Sequence, residues 1–403
     1  MNVPKLRFKG FSDNWTQKSL GEVSQNVMYG MNAAAMAFDG KNKYIRITDI
    51  DDESRTYLPS PLTSPSGNIE SKFKLQTGDI VFARTGASVG KAYLYNLKDG
   101  DVFFAGFLVK FSVTEGNPYF VFSQTLTGSY DGWVKVMSMR SGQPGINAEE
   151  YKEFKFLAPQ FEEQTKIANF LTAIDEKIIQ LTQKYDLLKQ YKKGVMQQIF
   201  SQKLRFKDDD GREFPEWEEK KLGDISRNIM YGMNASAIPF NGNNKYIRIT
   251  DIDDESRSFK PSPLSSPSGN IETKFKMQNG DIVFARTGAS VGKSYLYDSK
   301  DGDLFFAGFL IKFSISEGNP YFIFLQTLTE FYRAWVKFMS MRSGQPGINA
   351  EEYKDFEIIF PCLEEQTKIA NFLTAIDDKI TQTQTQLNAV KQYKKGLLQQ
   401  LFV

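Results

Sequence analysis

The stretch that most limits what this chain can become runs from Glu162 to Phe200 and begins EEQTKIANFLTAIDEKIIQLTQKYDLLKQYKKG. Its apolar residues Ile167, Leu171, Ile174, Ile178, Leu181, Tyr185 and Leu188 follow one another in steps of four and three. That is the a/d seam of a coiled coil, so a long helix with one apolar stripe is predicted. The stretch returns at Glu364 to Val403, with Ile369, Leu373, Ile376, Ile380, Leu387 and Val390 on the seam. One such helix leaves its stripe uncovered, and two copies in one chain can cover each other. The expected helix-pair interface is Ile167, Leu171, Ile174, Ile178 and Leu181 with Ile369, Leu373, Ile376 and Ile380.

The repeat extends to a whole domain preceding each helix. Met28-Tyr29-Gly30-Met31-Asn32 returns as Met230-Tyr231-Gly232-Met233-Asn234, and KYIRITDIDDESR from Lys43 to Arg55 returns unchanged from Lys245 to Arg257. Gly78 to Tyr95 returns at Gly280 to Tyr297 with Ala92 replaced by Ser294, and RSGQPGINAEEYK from Arg140 to Lys152 returns unchanged from Arg342. The second copy carries four extra residues before Trp217, within DDDGREFPEW.

Within one unit, Asp79 to Ala83 and Val102 to Ser112 are rich in aromatic and β-branched residues and read as strands. PSPLTSPSGN at Pro59 to Asn68 reads as a loop. Pro118 to Val136, carrying Tyr119, Phe122, Leu126, Tyr130 and Trp133, reads as one helix. Pro159 marks the start of the long helix, with Glu162 and Glu163 in its first turn. Lys192 and Lys193 lie near its end, where Gly194 weakens it. The fold class is α+β: two pseudo-twofold-related mixed domains joined by two long antiparallel coiled-coil helices. The expected divisions are 1–159 and 203–361 for the domains, and 160–202 and 362–403 for the helices. A helix of ~35 residues spans ~50 Å, and a compact domain tends to have its termini close together. The second helix is therefore expected to run back along the first. The seam breaks at Thr383, where the first copy has Leu181, and at Lys192 and Lys394. The far part of the pair is expected to owe its stability to a docked partner.

Composition removes several function classes. The chain has no histidine and one cysteine, Cys362. Zinc and most transition metals lose their usual ligands, a Ser-His-Asp or Cys-His apparatus is impossible, and a reducing cytoplasm is the expected location. No apolar run approaches the ~20 residues of a membrane span. A net charge of +2 gives no global basic field, so any nucleic-acid surface must be a local patch.

Three motifs look catalytic and fall short. Gly288-Ala-Ser-Val-Gly292-Lys293-Ser294 has three residues between its glycines where the phosphate loop needs four, and its twin has Ala92 after Lys91. It reads as a Gly-rich turn between strands, with Lys91 and Lys293 offered to a nucleic-acid phosphate. Asn117-Pro118-Tyr119-Phe120 and Asn319-Pro320-Tyr321-Phe322 are similar to the Asn-Pro-Pro-Tyr loop of adenine methyltransferases but lack the second proline. They read as turns that start a helix. The acidic run Asp49, Asp51, Asp52 and Glu53 reads as a solvated loop rather than a magnesium site.

Other residues fit a reader of DNA. Each unit repeats four arginines: Arg46 and Arg248, Arg55 and Arg257, Arg84 and Arg286, Arg140 and Arg342. Arg84-Thr85-Gly86 and Arg140-Ser141-Gly142-Gln143 set arginine and glutamine beside glycine. These are the side chains that pair bidentately with guanine and adenine edges. The candidate DNA-binding residues are Tyr29, Asn32, Arg46, Arg84, Thr85, Ser88, Lys91, Arg140, Ser141 and Gln143. Their twins are Tyr231, Asn234, Arg248, Arg286, Thr287, Ser290, Lys293, Arg342, Ser343 and Gln345. Taken singly, each is as easily an ordinary surface residue.

In this order, the residues resemble the DNA-specificity subunit of type I restriction-modification systems over the full chain. The likeness lies in LRF…W…LG (Leu6 to Gly21; Leu204 to Gly223), GDIVFARTGASVGK and SGQPGIN. It is most specific in Pro159…Glu163-Gln164…Ile167…Leu171…Ile174-Asp175…Ile178 and its repeat from Pro361. The resemblance implies two target-recognition domains, each reading half of a bipartite duplex site, and no chemistry in this chain. It implies two modification subunits carrying S-adenosylmethionine, and two restriction subunits using ATP and magnesium. At 3.4 Å per base pair, a ~50 Å helix would span ~15 base pairs. Such subunits usually carry dissimilar domains, whereas these are near copies, so a near-palindromic target is expected. A self-sufficient methyltransferase or nuclease, and a tandem module that binds no DNA, are the alternatives.

Overall fold

The computed structural model describes residues 3–139, 144–341 and 346–402. It divides into two compact units, residues 1–183 with 384–403 and residues 184–383. The division cuts through both long helices, Phe161–Phe200 and Leu363–Leu401. Each unit thus holds one domain, the first half of the helix that follows it, and the last part of the other helix.

In the first unit the central element is a four-stranded antiparallel sheet in the order Ser24–Tyr29, Leu108–Val113, Asp79–Ala83, Ala92–Leu94. The run DIVFA is continuously apolar because both faces of its strand are covered. Ile80 and Phe82 face one core with Val109 and Phe111. Val81 and Ala83 face a second with Ile45 and Phe104. Smaller pairs flank the sheet: Thr16–Ser19 with Lys155–Ala158, Ala35–Ala37 with Thr63–Pro65, and Lys43–Ile45 with Val102–Phe104, the last parallel. The second unit repeats this order, 226–231, 310–315, 281–285, 294–296.

Two elements expected to be continuous are broken. Val102 to Ser112 forms two strands, because a tight turn closes at Ala105–Leu108 with the Leu108 amide donating to the Ala105 carbonyl at 2.8 Å. Pro118 to Val136 forms two helices, Pro118–Gln124 and Gly128–Ser138. Thr125 caps the end of the first, and Thr127 starts the second, its hydroxyl accepting from the Tyr130 amide. That hydroxyl competes with the backbone for a helical hydrogen bond, as threonine does at N-caps. Asn117 caps the first helix by accepting from the Tyr119 and Phe120 amides, as expected for a helix-starting turn.

The seam residues do more than face another helix. Ile167, Leu171 and Ile174 belong to one cluster with Phe120 and Phe156 of the domain and with Leu397, Leu398, Leu401 and Phe402 from the chain's end. In the second unit Ile369, Leu373 and Ile376 join Phe322 and Ile358, and Val195, Met196 and Ile199 complete the cluster. The long helix runs unbroken through Gly194 to Phe200 because this last segment is held by core packing. The lysines that break the seam are explained within each unit. Lys394 pairs with Asp175 at 2.5 Å, and Lys192 pairs with Asp377 at 2.6 Å. Tyr119 and Tyr321 donate their hydroxyls to the same two carboxylates. The ends of the helices therefore do not await a docked partner for cover, contrary to the expectation from the broken seam.

The helix segments run antiparallel inside each unit. In the first, Lys394 meets Asp175, while Leu6 and Arg7 bridge Gln400 to Glu163 further back along the first helix. Arg7 grips Glu163 with two bonds of 2.8 Å, and the carboxylate is 1% exposed. In the second unit Arg205 grips Glu365 in the same way, and Trp217 adds its indole N–H at 2.8 Å. Leu204 follows the first helix covalently, and its amide donates to Gln198. Leu6 makes the equivalent bond to the Gln400 carbonyl, distant in sequence, at 2.9 Å.

A buried carboxylate stripped of its partner is costly, about 3 kcal/mol or more. Arg7→Ala is therefore expected to lower stability by about 3 kcal/mol in denaturant unfolding. A double Arg7→Met, Glu163→Leu variant should recover most of the loss.

Candidate nucleic-acid interface

Strand order brings the strongest candidates to one edge of the sheet. Tyr29 ends its strand opposite Val109, and Ala83 ends its strand opposite Leu108. Both neighbours run antiparallel to Leu108–Val113, so Tyr29, Arg84 and the turn before Leu108 converge. Gly30 allows this, because a Cβ there would collide with the carbonyl oxygens of Phe104 and Ala105. The Arg84 guanidinium lies over the Tyr29 ring, 4.8 Å from its centroid, and its Nε donates to the Gly106 carbonyl at 3.2 Å. Stacking and one hydrogen bond fix the plane of the guanidinium. Among the described residues no carboxylate pairs with it, which leaves the guanidinium without a charged partner. Arg286 lies over Tyr231 at 4.9 Å and near Phe309 at 5.9 Å. Its Nε is buried without a partner.

The segment after the second Gly-bearing loop is tied to this edge. The Gly86 amide donates to Pro144, Ile146 donates to the Arg84 carbonyl, and Thr85 bridges Gly145. The Ala148 amide donates to the Tyr29 hydroxyl at 3.1 Å. Thr287, Gly347, Ile348 and Tyr231 repeat the arrangement. Arg140, Ser141, Gln143, Arg342, Ser343 and Gln345 lie outside the described residues. Asn32 and Asn234, two residues past the close-approach glycines, are exposed. Ser88 and Ser290 are half-buried on the turn that follows the arginine.

Two expected contacts are not at this surface. Lys91 and Lys293, expected on a phosphate, are turned inward and 7% exposed. Lys91 donates to the Ile50 carbonyl at 3.0 Å and pairs with Asp52, and Lys293 does the same with Ile252 and Asp254. Gly90 and Gly292 bend the turn with positive φ, 87° and 83°, which carries the lysine back over the sheet. Arg46 and Arg248 spend their fork on Asp49 and Asp251 in bidentate pairs with the bonds at 2.8 to 2.9 Å. The acidic run is thus no simple solvated loop. Asp49 is buried under Arg46, Asp51 caps its own turn, and Glu53 pairs with Lys391 at 2.9 Å. Among the described residues, no group of histidine, cysteine, aspartate and glutamate could hold a metal ion.

Sequence reasoning missed Phe107 and Phe309. They stand at the tip of the tight turn, 62% and 60% exposed, with their carbonyls accepting from the Arg84 and Arg286 amides. The signal was Ala105-Gly106-Phe107 inside an otherwise strand-like run. An exposed ring beside an unpaired guanidinium suits a base edge with a methyl group or an exposed π-face.

Each unit therefore sets an arginine stacked on a tyrosine ring near an exposed phenylalanine and an exposed asparagine. The family of type I restriction modification DNA specificity domains matches residues 12–190 and again 215–392. The chain belongs to this family and carries its domain twice. Over 98% of its length and 95% of the relative's, it is 23% identical to a protein of Methanocaldococcus jannaschii provisionally named as the MjaX type I restriction enzyme specificity subunit. It is 24% identical to the MjaVIII specificity subunit of the same organism over 66% of each chain. Among solved structures, the type I restriction-modification S subunit from M. genitalium shares the fold with a TM-score of 0.64 at 16% identity, covering 100% of this chain and 99% of that one.

Replacing Arg84 and Arg286 together by alanine is expected to relax base preference, at about 1–3 kcal/mol for each good bidentate contact. Competition binding against single-base site variants measures this. Lys91→Ala should instead lower thermal stability and leave base preference unchanged. Asp253 offers an acid-side check, because bonds from the Ser256 hydroxyl and amide hold its carboxylate at about 2. A depressed carboxylate stabilises the fold above its unfolded value near 4, and the contribution is lost as pH falls towards about 2. Ser256→Ala should move the Asp253 titration upward, read by carboxylate NMR.

Proposed function

We propose that this chain supplies the DNA address for a type I restriction-modification assembly and performs no chemistry itself. Each unit reads one half of a bipartite duplex site with its arginine edge, Arg84 with Tyr29 and Phe107, Arg286 with Tyr231 and Phe309. Partner modification subunits, two per chain, carry S-adenosylmethionine and methylate adenine. Restriction subunits, also two, add ATP- and magnesium-dependent cleavage. The long helices hold the gap between half-sites and offer docking surface to the modification subunits. The assembly works in the cytoplasm.

The observation that carries this reading is that the uncompensated arginine edge occurs twice, on identical frameworks, in a chain of the DNA-specificity family. It also supports an inverted repeat as the target, because like edges take like half-sites and the helix segments run antiparallel within each unit. Five differences between the copies fall together on an exposed surface. Ala34→Ser236, Met36→Ile238, Ala37→Pro239, Asp39→Asn241 and Lys41→Asn243 lie in or beside the strands Ala35–Ala37 and Ala237–Pro239, whose residues are all exposed. They are placed to alter one base at the margin of a half-site.

Mapping methylated adenines in cells that express the chain with its modification partner tests both statements. The expected motif is a gapped inverted repeat whose halves differ by at most a base. Two unrelated half-sites would overturn the palindrome, and no methylation dependent on this chain would overturn the assignment.

A further inference from the structure

Beside the arginine edge the two units part company. In the first unit a recess of about 150 Å³ opens next to the turn that follows Arg84, lined by Asp52, Arg55, Ser88, Gly90, Lys91 and Asp131 among others. Its frame recurs in the second unit. Tyr130 donates to the Gly90 carbonyl at 2.8 Å, and Tyr332 donates to Gly292 at 2.9 Å. The lysine bonds to Ile50 and Asp52 recur at Ile252 and Asp254. One charged position changes: Arg333 stands where the first unit has Asp131.

The exchange shifts these positions from balanced to net positive. The first recess sets two acids, Asp52 and Asp131, against two bases, Arg55 and Lys91. At the equivalent positions the second unit has one acid, Asp254, with Arg257, Lys293 and Arg333. Glu330, which replaces Gly128, pairs with Arg333 at 2.6 Å, but both side chains are more than half exposed. Such a pair holds weakly and is easily exchanged for a stronger anion. Arg257 makes no ion pair within 4 Å among the described residues. Burial holds its guanidinium below its ordinary value, and Arg333 adds to the effect. Arg333 lies close enough to act on the Arg257 charge, and two neighbouring guanidinium groups can share one phosphate.

We propose that the recess of the second unit takes a backbone phosphate of DNA through Arg333 and Arg257, and that the recess of the first unit does not. The proposal rests on the DNA-reading function above. The two units then share one base-reading edge but grip the duplex unequally, with the second unit the tighter. The near-symmetric molecule becomes functionally directional on a near-symmetric site.

The test is the salt dependence of binding by the full chain to a duplex carrying its mapped methylation site. Each phosphate contact on duplex DNA contributes about −0.9 to the slope of log affinity against log salt. Arg333→Ala should make the slope shallower by about 0.9, and Asp131→Arg should steepen it by about as much. Arg212→Ala removes the same charge from an exposed turn of the second unit and should leave the slope unchanged. The proposal is overturned if Arg333→Ala and Asp131→Arg leave the slope at the wild-type value. It is also overturned if Arg212→Ala shifts the slope as much as Arg333→Ala, which would make the effect one of net charge alone. A wild-type chain with no salt-dependent binding would instead overturn the DNA-reading function itself. Inorganic phosphate added at constant ionic strength should weaken wild-type binding more than that of Arg333→Ala, and equal weakening would count against a built phosphate site.

Discussion

Everything in this fold depends on an apolar helix end that completes the core of the other repeat's domain. Leu397, Leu398, Leu401 and Phe402 close the first unit, and Val195, Met196 and Ile199 close the second. Each fully buried side chain of this size contributes about 1.5–3 kcal/mol, so neither domain keeps its core without the other repeat's helix. The buried Glu163 and Glu365 reinforce the closure. Each anchors an arginine from the segment that leads into its domain, and so ties that segment, the helix start and the domain together.

That closure gives the reading edge its rigidity. The strands that lead into Arg84 and flank Phe107 are buried, so the guanidinium is positioned by packing at one remove. Stacking on Tyr29 then fixes its plane. A half-buried cation left without a carboxylate is electrostatically incomplete, and it stands out because the other repeated arginine of this region, Arg46, is fully engaged by Asp49. The fold engages one arginine with a carboxylate and, among the described residues, leaves the other without one.

Much of this was legible in the residues. The repeat, the seam, the capping Asn117 and the DIVFA strand all follow from local spacing, and the order domain-helix-domain-helix is enough to ask for antiparallel helices. The failures share a cause. Lys91 in a Gly-rich turn looks like a phosphate ligand, and only the positive φ of Gly90 shows that the turn folds inward. The acidic run looks solvated until its partners arrive from Arg46, Lys91 and Lys391, the last 338 residues away. Phe107 reads as one more strand residue, because nothing local announces that the strand breaks at Ala105.

Sequence alone thus determined the duplicated architecture, the absence of histidine, and the candidate arginines, because spacing and composition are local properties. Tertiary structure decided which arginine is free and which is paired, and that the broken seam is sealed by Lys394–Asp175 and Lys192–Asp377. It also decided that one exchange, Asp131 for Arg333, falls in a recess beside the reading edge. Charge compensation is a through-space property, and its partners come from segments that only the folded chain brings within a few ångströms.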